Sequence, residues 1–189
     1  MPHPVDFQEI ENKLFLLGQL CYSSKSYTRH SGLSRGDDPD FVEPDWVRYA
    51  GNLASIVGDY TVECAAKTRV AQDFIRRHDA PADIEMISDN AIENCDIGGY
   101  ESGDNISSIR ESCNKLTHAT EAKLKWETGQ NDGEEYEYWS GIYLLNGEHR
   151  GDRWSINLNV DEWAGAMTFY HRRLKNEVNW FDIWEHVFE

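Results

Sequence analysis

The segment from Ile106 to His118 contains the residues whose types and spacing are best suited to chemistry. It places Arg110, Asn114 and His118 four residues apart. In an α-helix, at about 100° per residue, side chains with this spacing share one narrow stripe. A guanidinium binds anions, an amide positions groups by hydrogen bonds, and an imidazole exchanges protons near neutral pH. The segment therefore predicts a small polar site, with Arg110, Asn114 and His118 as candidate catalytic residues.

Each of these three residues also has a structural interpretation, which the sequence leaves open. His118 at the end of a helix is favoured by the helix dipole and can bond the last free carbonyls. Asn114 can bond a neighbouring backbone group, and Arg110 can form an ordinary surface ion pair.

The segment that carries the stripe is expected to pack against a core. A neighbouring stripe of this helix is apolar, consisting of Ile106, Ile109, Cys113 and Leu116. Asp104 is the predicted N-cap, since aspartate accepts hydrogen bonds from the first free N–H groups of a helix.

Apolar residues at helical spacing predict three further helices before this one. They are expected over Val5–Tyr22, Pro44–His78 and Ala82–Asn94, with a polar loop over Ser23–Glu43 and a helix stop at Pro81. The helix that begins at Pro44 would be roughly 50 Å long.

After His118 the apolar residues alternate, which is typical of strands. Strands are predicted over Ala122–Trp126, Glu135–Leu145 and Trp154–Val160, with a turn that begins at Asn146-Gly147 and continues through Arg150-Gly151. A last helix is predicted with Asp161 as its cap. The expected fold is mainly α: a helical body in residues 1–120, and a small three-stranded antiparallel β-meander plus C-terminal helix in residues 121–189. Both parts are expected to pack on the same core as a single domain.

The chain is strongly acidic, with 34 Asp and Glu against 18 Lys and Arg, for a net charge of −16. This balance disfavours non-specific binding to nucleic acid, which depends on phosphate neutralisation by Lys and Arg. The region from Asp79 to Asp104 contains neither Lys nor Arg. It is either a solvated connection or a surface for a basic partner, whose candidate binding residues are Asp83, Glu85, Asp89, Glu93, Asp96 and Glu101.

Targeting and cofactor signals are absent from the sequence. No apolar run is long enough to cross a membrane, and the first residues do not have the pattern of a secretory signal. Four cysteines are scattered without Cys-x-x-Cys spacing, which is typical of reduced thiols and not of a zinc site. We expect a cytoplasmic protein without a metal or other cofactor.

The run Cys113-Asn-Lys-Leu-Thr-His118, at the end of a helix that follows a long helix, resembles the HEPN superfamily. The HEPN signature is Arg, four to six residues, then His, often with Asn directly after the Arg. Asn114 and His118 match that signature, while Cys113 stands at the arginine position. Arg110 lies one turn earlier, and Arg69 from the long helix is a second possible substitute.

The resemblance implies a helical bundle, a dimer, and metal-independent RNase activity in a bacterial defence or toxin–antitoxin system. In that case His118 is the base or acid, Arg110 binds the phosphate, and Asn114 positions the reacting groups. The alternative is a non-catalytic acidic protein, such as an antitoxin, inhibitor or assembly subunit, that contacts a basic partner.

Overall fold

The structure, a computed structural model, describes residues 5–36, 43–77 and 83–185. Within these ranges the chain forms six helices and one antiparallel sheet of four strands. The helices are α1 (Phe7–Ser31), α2 (Pro44–Arg77), α3 (Ile84–Ile92), α4 (Ile109–His118), α5 (Val160–Glu177) and α6 (Trp180–Glu185). The strands are β1 (Gly98–Tyr100), β2 (Ala119–Asn131), β3 (Glu134–His149) and β4 (Asp152–Asn159).

The predicted fold class, a mainly α protein with a three-stranded meander, is wrong because the sheet has four strands. The strand order is β1-β4-β3-β2, so the helices pack with a four-stranded sheet. The additional strand β1 pairs with β4, with Gly98 opposite Leu158 and Tyr100 opposite Ile156. Three residues are too few to show an alternating pattern, and β1 exists as a strand only because β4 lies beside it.

The strands are also longer than predicted. Asp132 and Gly133 form the turn between β2 and β3, and Arg150 and Gly151 form the turn between β3 and β4, all four with positive φ. Successive positive φ values match the right-handed twist of a hairpin. The turn predicted from Asn146-Gly147 through Arg150-Gly151 is correct at Arg150-Gly151 but starts too early, since Asn146 and Gly147 pair with β4 inside β3.

Helix α1 continues nine residues beyond the predicted end at Tyr22, to Ser31. The extension was not predicted because buried positions in this part of α1 carry polar residues, which interrupt the apolar pattern. Thr28 donates a hydrogen bond to the carbonyl of Ser24 at 3.0 Å, and the hydroxyl of Ser24 lies 2.8 Å from that of Tyr49. The first half of the predicted loop over Ser23–Glu43 is therefore helical.

Helix α2 confirms the long helix that was predicted from Pro44, with 34 residues. The proposed stop at Pro81 lies outside the described residues. Two predicted caps are wrong. Ser108, not Asp104, caps α4, and Asp161 lies in the first turn of α5 instead of at its N-cap.

One hydrophobic core joins helices from both halves of the chain with the inner face of the sheet. Among its fully buried members are Leu17 of α1, Val57 of α2, Cys113 of α4, Leu145 of β3, Ile156 of β4 and Trp163 of α5.

Candidate functional site

The local structure of α4 explains why the polar stripe faces outward. Ser108 accepts the N–H of Glu111 at 3.0 Å, which starts the helix, and α4 ends at His118, directly before β2. Ile109 and Cys113 are fully buried and fix the inner face of α4. The opposite face therefore carries the three candidate residues towards solvent.

The stripe lines a cleft of about 590 Å³ between α4 and the β3–β4 turn. The lining residues with groups suited to binding or proton transfer include two cations, two imidazoles and two carboxylates, namely Arg110, Lys115, His118, His149, Glu111 and Glu148, together with Asn114 and Trp154. The structure thus brings the three candidate catalytic residues into one cleft, together with a lysine and a second histidine.

Arg110 is held in place by α2. Its guanidinium donates to Asp73 at 3.0 Å and to Gln72 at 3.4 Å. These bonds use two of the five N–H donors of an arginine, so donors are left for an anion. Arg69, the other candidate phosphate ligand, bonds Gln72 at 3.3 Å in the same cluster but is not part of the cleft wall. Burial, and then the charge of Arg110, lower the pKa of Arg69.

Lys115 lies between two aromatic rings. Its ammonium is 4.3 Å from the ring centre of Trp154 and 5.0 Å from that of Tyr100. Burial lowers the pKa of Lys115, and the charge of Glu111 opposes that shift. Tyr100 also donates a hydrogen bond to Glu111 at 2.5 Å, which ties the short strand β1 to α4. Lys115 is therefore a positioned cation at the wall of the cleft.

His118 and His149 are both exposed, and both line the cleft. Side chains alternate along β3, so His149 shares a face with the buried residues Leu145 and Gly147. Trp154 of β4 is paired with Gly147 and belongs to the same face. Because α4 contacts β3, this face brings His149 to the cleft.

His149 was not among the residues predicted for the site. Extending the alternation of β3 past the supposed turn at Asn146 would have placed it on the inward face. No residue spacing within the sequence, however, connects it to the stripe on α4.

The acidic candidates for partner binding divide into two groups. Three have structural roles: Asp83 caps α3, Asp96 accepts the N–H of Gly98 at 3.2 Å, and Glu85 forms an ion pair with Arg76. The other three are exposed, namely Asp89, Glu93 and Glu101.

Among the described residues, no three His, Cys, Asp or Glu side chains are grouped so that they could hold a metal ion. Cys21, Cys64, Cys95 and Cys113 are all free thiols. None of the helices in the described ranges has both the length and the apolar character needed to cross a membrane.

Comparisons of the chain with protein-family models, with curated proteins and with solved structures each found no match. A functional proposal therefore depends on the residues of this chain.

Proposed function

We propose that the protein is an RNase that cleaves RNA in the cleft between α4 and the β3–β4 turn. The observation that carries this proposal is that two exposed imidazoles, His118 and His149, line one cleft with Arg110 and Lys115. RNA contains its own nucleophile, the 2′-hydroxyl. Cleavage therefore needs only a base, an acid and a cationic site for the phosphate.

The reaction uses one imidazole as base and the other as acid. The base takes the proton of the 2′-hydroxyl while that oxygen attacks the adjacent phosphorus. The bond between phosphorus and the 5′ oxygen breaks, and the second imidazole gives its proton to the leaving oxygen. The products are a 2′,3′-cyclic phosphate and a 5′-hydroxyl, so the reaction requires no water and no change of oxidation state.

Arg110 and Lys115 supply positive charge for the phosphate oxygens. Charge builds up on these oxygens in the transition state, and fixed cations at that place lower the barrier. Asp73 and Gln72 hold the Arg110 guanidinium in one orientation. Asn114, one turn from both Arg110 and His118, is placed to donate its amide N–H groups to a phosphate oxygen. The ring of Trp154 holds the Lys115 ammonium at the cleft wall through a cation–π contact.

The resemblance of Cys113–His118 to the HEPN signature stays a prediction. If it holds, an RNase of this kind acts in a bacterial defence or toxin–antitoxin system.

The test is cleavage of several single-stranded RNAs by the purified protein in the presence of a metal chelator. His118→Ala and His149→Ala should each lower the rate by about 10²-fold or more, the usual contribution of one acid or base. His30→Ala removes an exposed histidine of α1, outside the cleft, and should leave the rate unchanged. The proposal fails if the wild-type protein cleaves none of the RNAs, or if both cleft variants remain fully active.

A second substrate distinguishes the acid from the base. A nucleoside 3′-phosphate ester of p-nitrophenol has a leaving group that departs without a proton. The variant that lacks the acid should cleave this ester at nearly the wild-type rate, whereas the variant that lacks the base should not. Equal defects of His118→Ala and His149→Ala on both substrates would contradict the division of roles.

A second candidate function is non-catalytic binding of a basic protein. The net charge of −16 and the exposed Asp89, Glu93 and Glu101 favour it. Titration with a lysine-rich peptide should give salt-dependent binding that is weakened at least several-fold by the combined change of these residues to Asn and Gln. The candidate loses its support if that variant binds the peptide as the wild type does.

A further inference from the structure

Helix α1 exposes an apolar surface that carries no charge. The segment Leu14–Ser24 contains no charged residue, in a chain of which 28% of residues are charged. Its exposed side chains include Phe15, Leu16 and Tyr22, which are 65%, 43% and 71% exposed. Aromatic residues without neighbouring charges are typical of the centre of a protein–protein interface.

Helix α5 lies beside α1 and runs in the opposite direction. Tyr22, in the second half of α1, donates a hydrogen bond to Asp161 at the start of α5 at 2.6 Å. Phe7, at the start of α1, is in ring contact with His171 near the end of α5, with centroids 5.9 Å apart. Phe15 therefore lies alongside the middle of α5.

The middle of α5 adds a protruding side chain and a shallow depression to this surface. Phe169 is 43% exposed, and Gly165, one turn earlier, is exposed as well. A methyl group added at Gly165 would meet no atom within 4 Å, so the surface above this residue is open. Gly165 and Phe169 belong to a stripe that spans about 80° of the helix circumference. The stripe consists of Glu162, Gly165, Phe169 and Arg172.

Two copies of this stripe complement each other when the two α5 helices run in opposite directions. Gly165 and Phe169 lie at equal distances on the two sides of Met167, and so do Glu162 and Arg172. An antiparallel crossing of two α5 helices at Met167 would place Phe169 of each copy on Gly165 of the other. The same crossing sets Arg172 of each copy opposite Glu162 of the other.

We infer that the α1–α5 face, defined by Phe15 and Tyr22 of α1 and the stripe of α5, binds a second copy of this chain about a two-fold axis. A symmetric dimer uses the same patch on both subunits, and that patch must complement itself. Two copies of a protein with charge −16 repel each other, so they are expected to meet at a face of low net charge, such as one where Glu162 and Arg172 have opposite signs. A basic partner would instead require a surplus of acidic residues, whereas Arg172 balances Glu162 in the stripe of α5.

The size of the face indicates a dimer of moderate affinity. A pair of helices about 27 Å long and about 20 Å wide offers roughly 540 Å² per protomer. Stable interfaces typically bury about 800 Å² per partner. The association should therefore depend on concentration, and it is independent of whether the cleft cleaves RNA.

Sedimentation velocity of the full chain, from low micromolar to submillimolar concentration, tests the inference. The wild type should shift from monomer to dimer, and Phe15→Glu and Arg172→Glu should each weaken dimerisation at least tenfold. Val70→Glu is the control for Phe15→Glu, because Val70 is 44% exposed on α2 and both changes add one negative charge. Circular dichroism of each variant checks that the fold is retained.

A charge exchange makes the test specific to the proposed register. Arg172→Glu combined with Glu162→Arg should restore dimerisation to within a few-fold of the wild type, since the two charges meet again with reversed signs. A wild type that stays monomeric at submillimolar concentration overturns the inference. A dimer that survives both Phe15→Glu and Arg172→Glu overturns it as well.

Discussion

The hydroxyl oxygen of Thr68 lies 2.8 Å from Nε2 of His171, inside the core between α2 and α5. Thr68 gives its own proton to the carbonyl of Cys64 at 2.6 Å, so it must accept the N–H of His171. Nε2 of the imidazole therefore carries a proton. Within the described part of the chain, Nδ1 of this ring has no hydrogen-bond partner.

Burial of His171 predicts a loss of stability in acid. Burial lowers the pKa of His171 to about 3 from an ordinary value of 6.5, because the imidazolium would lose its hydration. Below pH 6.5 the unfolded chain binds a proton that the folded chain does not. The free energy of unfolding therefore falls by up to about 1.4 kcal/mol per pH unit as the pH drops towards 3. From pH 7 to 5, the wild type should lose about 2 kcal/mol more than His171→Gln.

Urea denaturation of both proteins at the two pH values measures this difference. Other titrating groups are shared by the two proteins, so their contributions cancel in the comparison. His30→Gln, which changes an exposed histidine, should have the same pH dependence as the wild type. Parallel curves for the wild type and His171→Gln would show that His171 does not control acid stability.

A second buried hydrogen bond, between α5 and α4, supports the helix that carries the site. The indole N–H of Trp163 donates to the hydroxyl of Ser112 at 3.0 Å, and both residues are fully buried. Ser112→Ala leaves that N–H without a partner, which should lower the free energy of unfolding by about 1–3 kcal/mol. Chemical denaturation measures the loss. Ser102→Ala, at an exposed turn, should cost almost nothing, and an equal effect of the two changes would contradict this role for Ser112.

The parts of the fold that follow from local sequence patterns were predictable. Helix α2 and strand β4 were found because their apolar residues recur at the helical and strand periods. The end of α1 was missed because Ser24 and Thr28 are polar yet buried, satisfied by bonds to Tyr49 and to the helix backbone. Strand β1 was missed because its pairing with β4 is a long-range property.

In the candidate site, too, the residues close together in sequence were predicted and those brought in by long-range contacts were not. Arg110, Asn114 and His118 were found together because all three lie on one helix, where spacing determines the face. His149 and Trp154 reach the cleft only through the register of β3 and β4. Asp73, which holds Arg110, belongs to a helix that is distant in sequence. A site assembled from several elements is therefore only partly visible in a linear pattern.

The four thiols should differ in reactivity. The thiolate is the reactive form, and burial raises the pKa of Cys64 and of Cys113 to about 12. Neither should react with an alkylating reagent at neutral pH until the chain unfolds. The half-buried Cys95, whose pKa is raised less, should be alkylated first. Mass spectrometry of the labelled peptides over time gives the order, with Cys95→Ser as the control, and early labelling of Cys113 in folded protein would contradict its burial.

Gly147 determines where the ring of Trp154 lies, because a Cβ at this position would overlap that ring. Gly147→Ala should displace the ring of Trp154 and disturb its contact with Lys115, and the strain should lower the free energy of unfolding by about 1–3 kcal/mol. Gly51→Ala is the matched control, since that exposed position on α2 has open space and alanine favours a helix by about 1 kcal/mol. If the cleft cleaves RNA, Gly147→Ala should also slow cleavage at temperatures where the variant is folded, although His118 and His149 are unchanged. Normal stability and normal cleavage together would mean that the position of Trp154 is unimportant for the cleft.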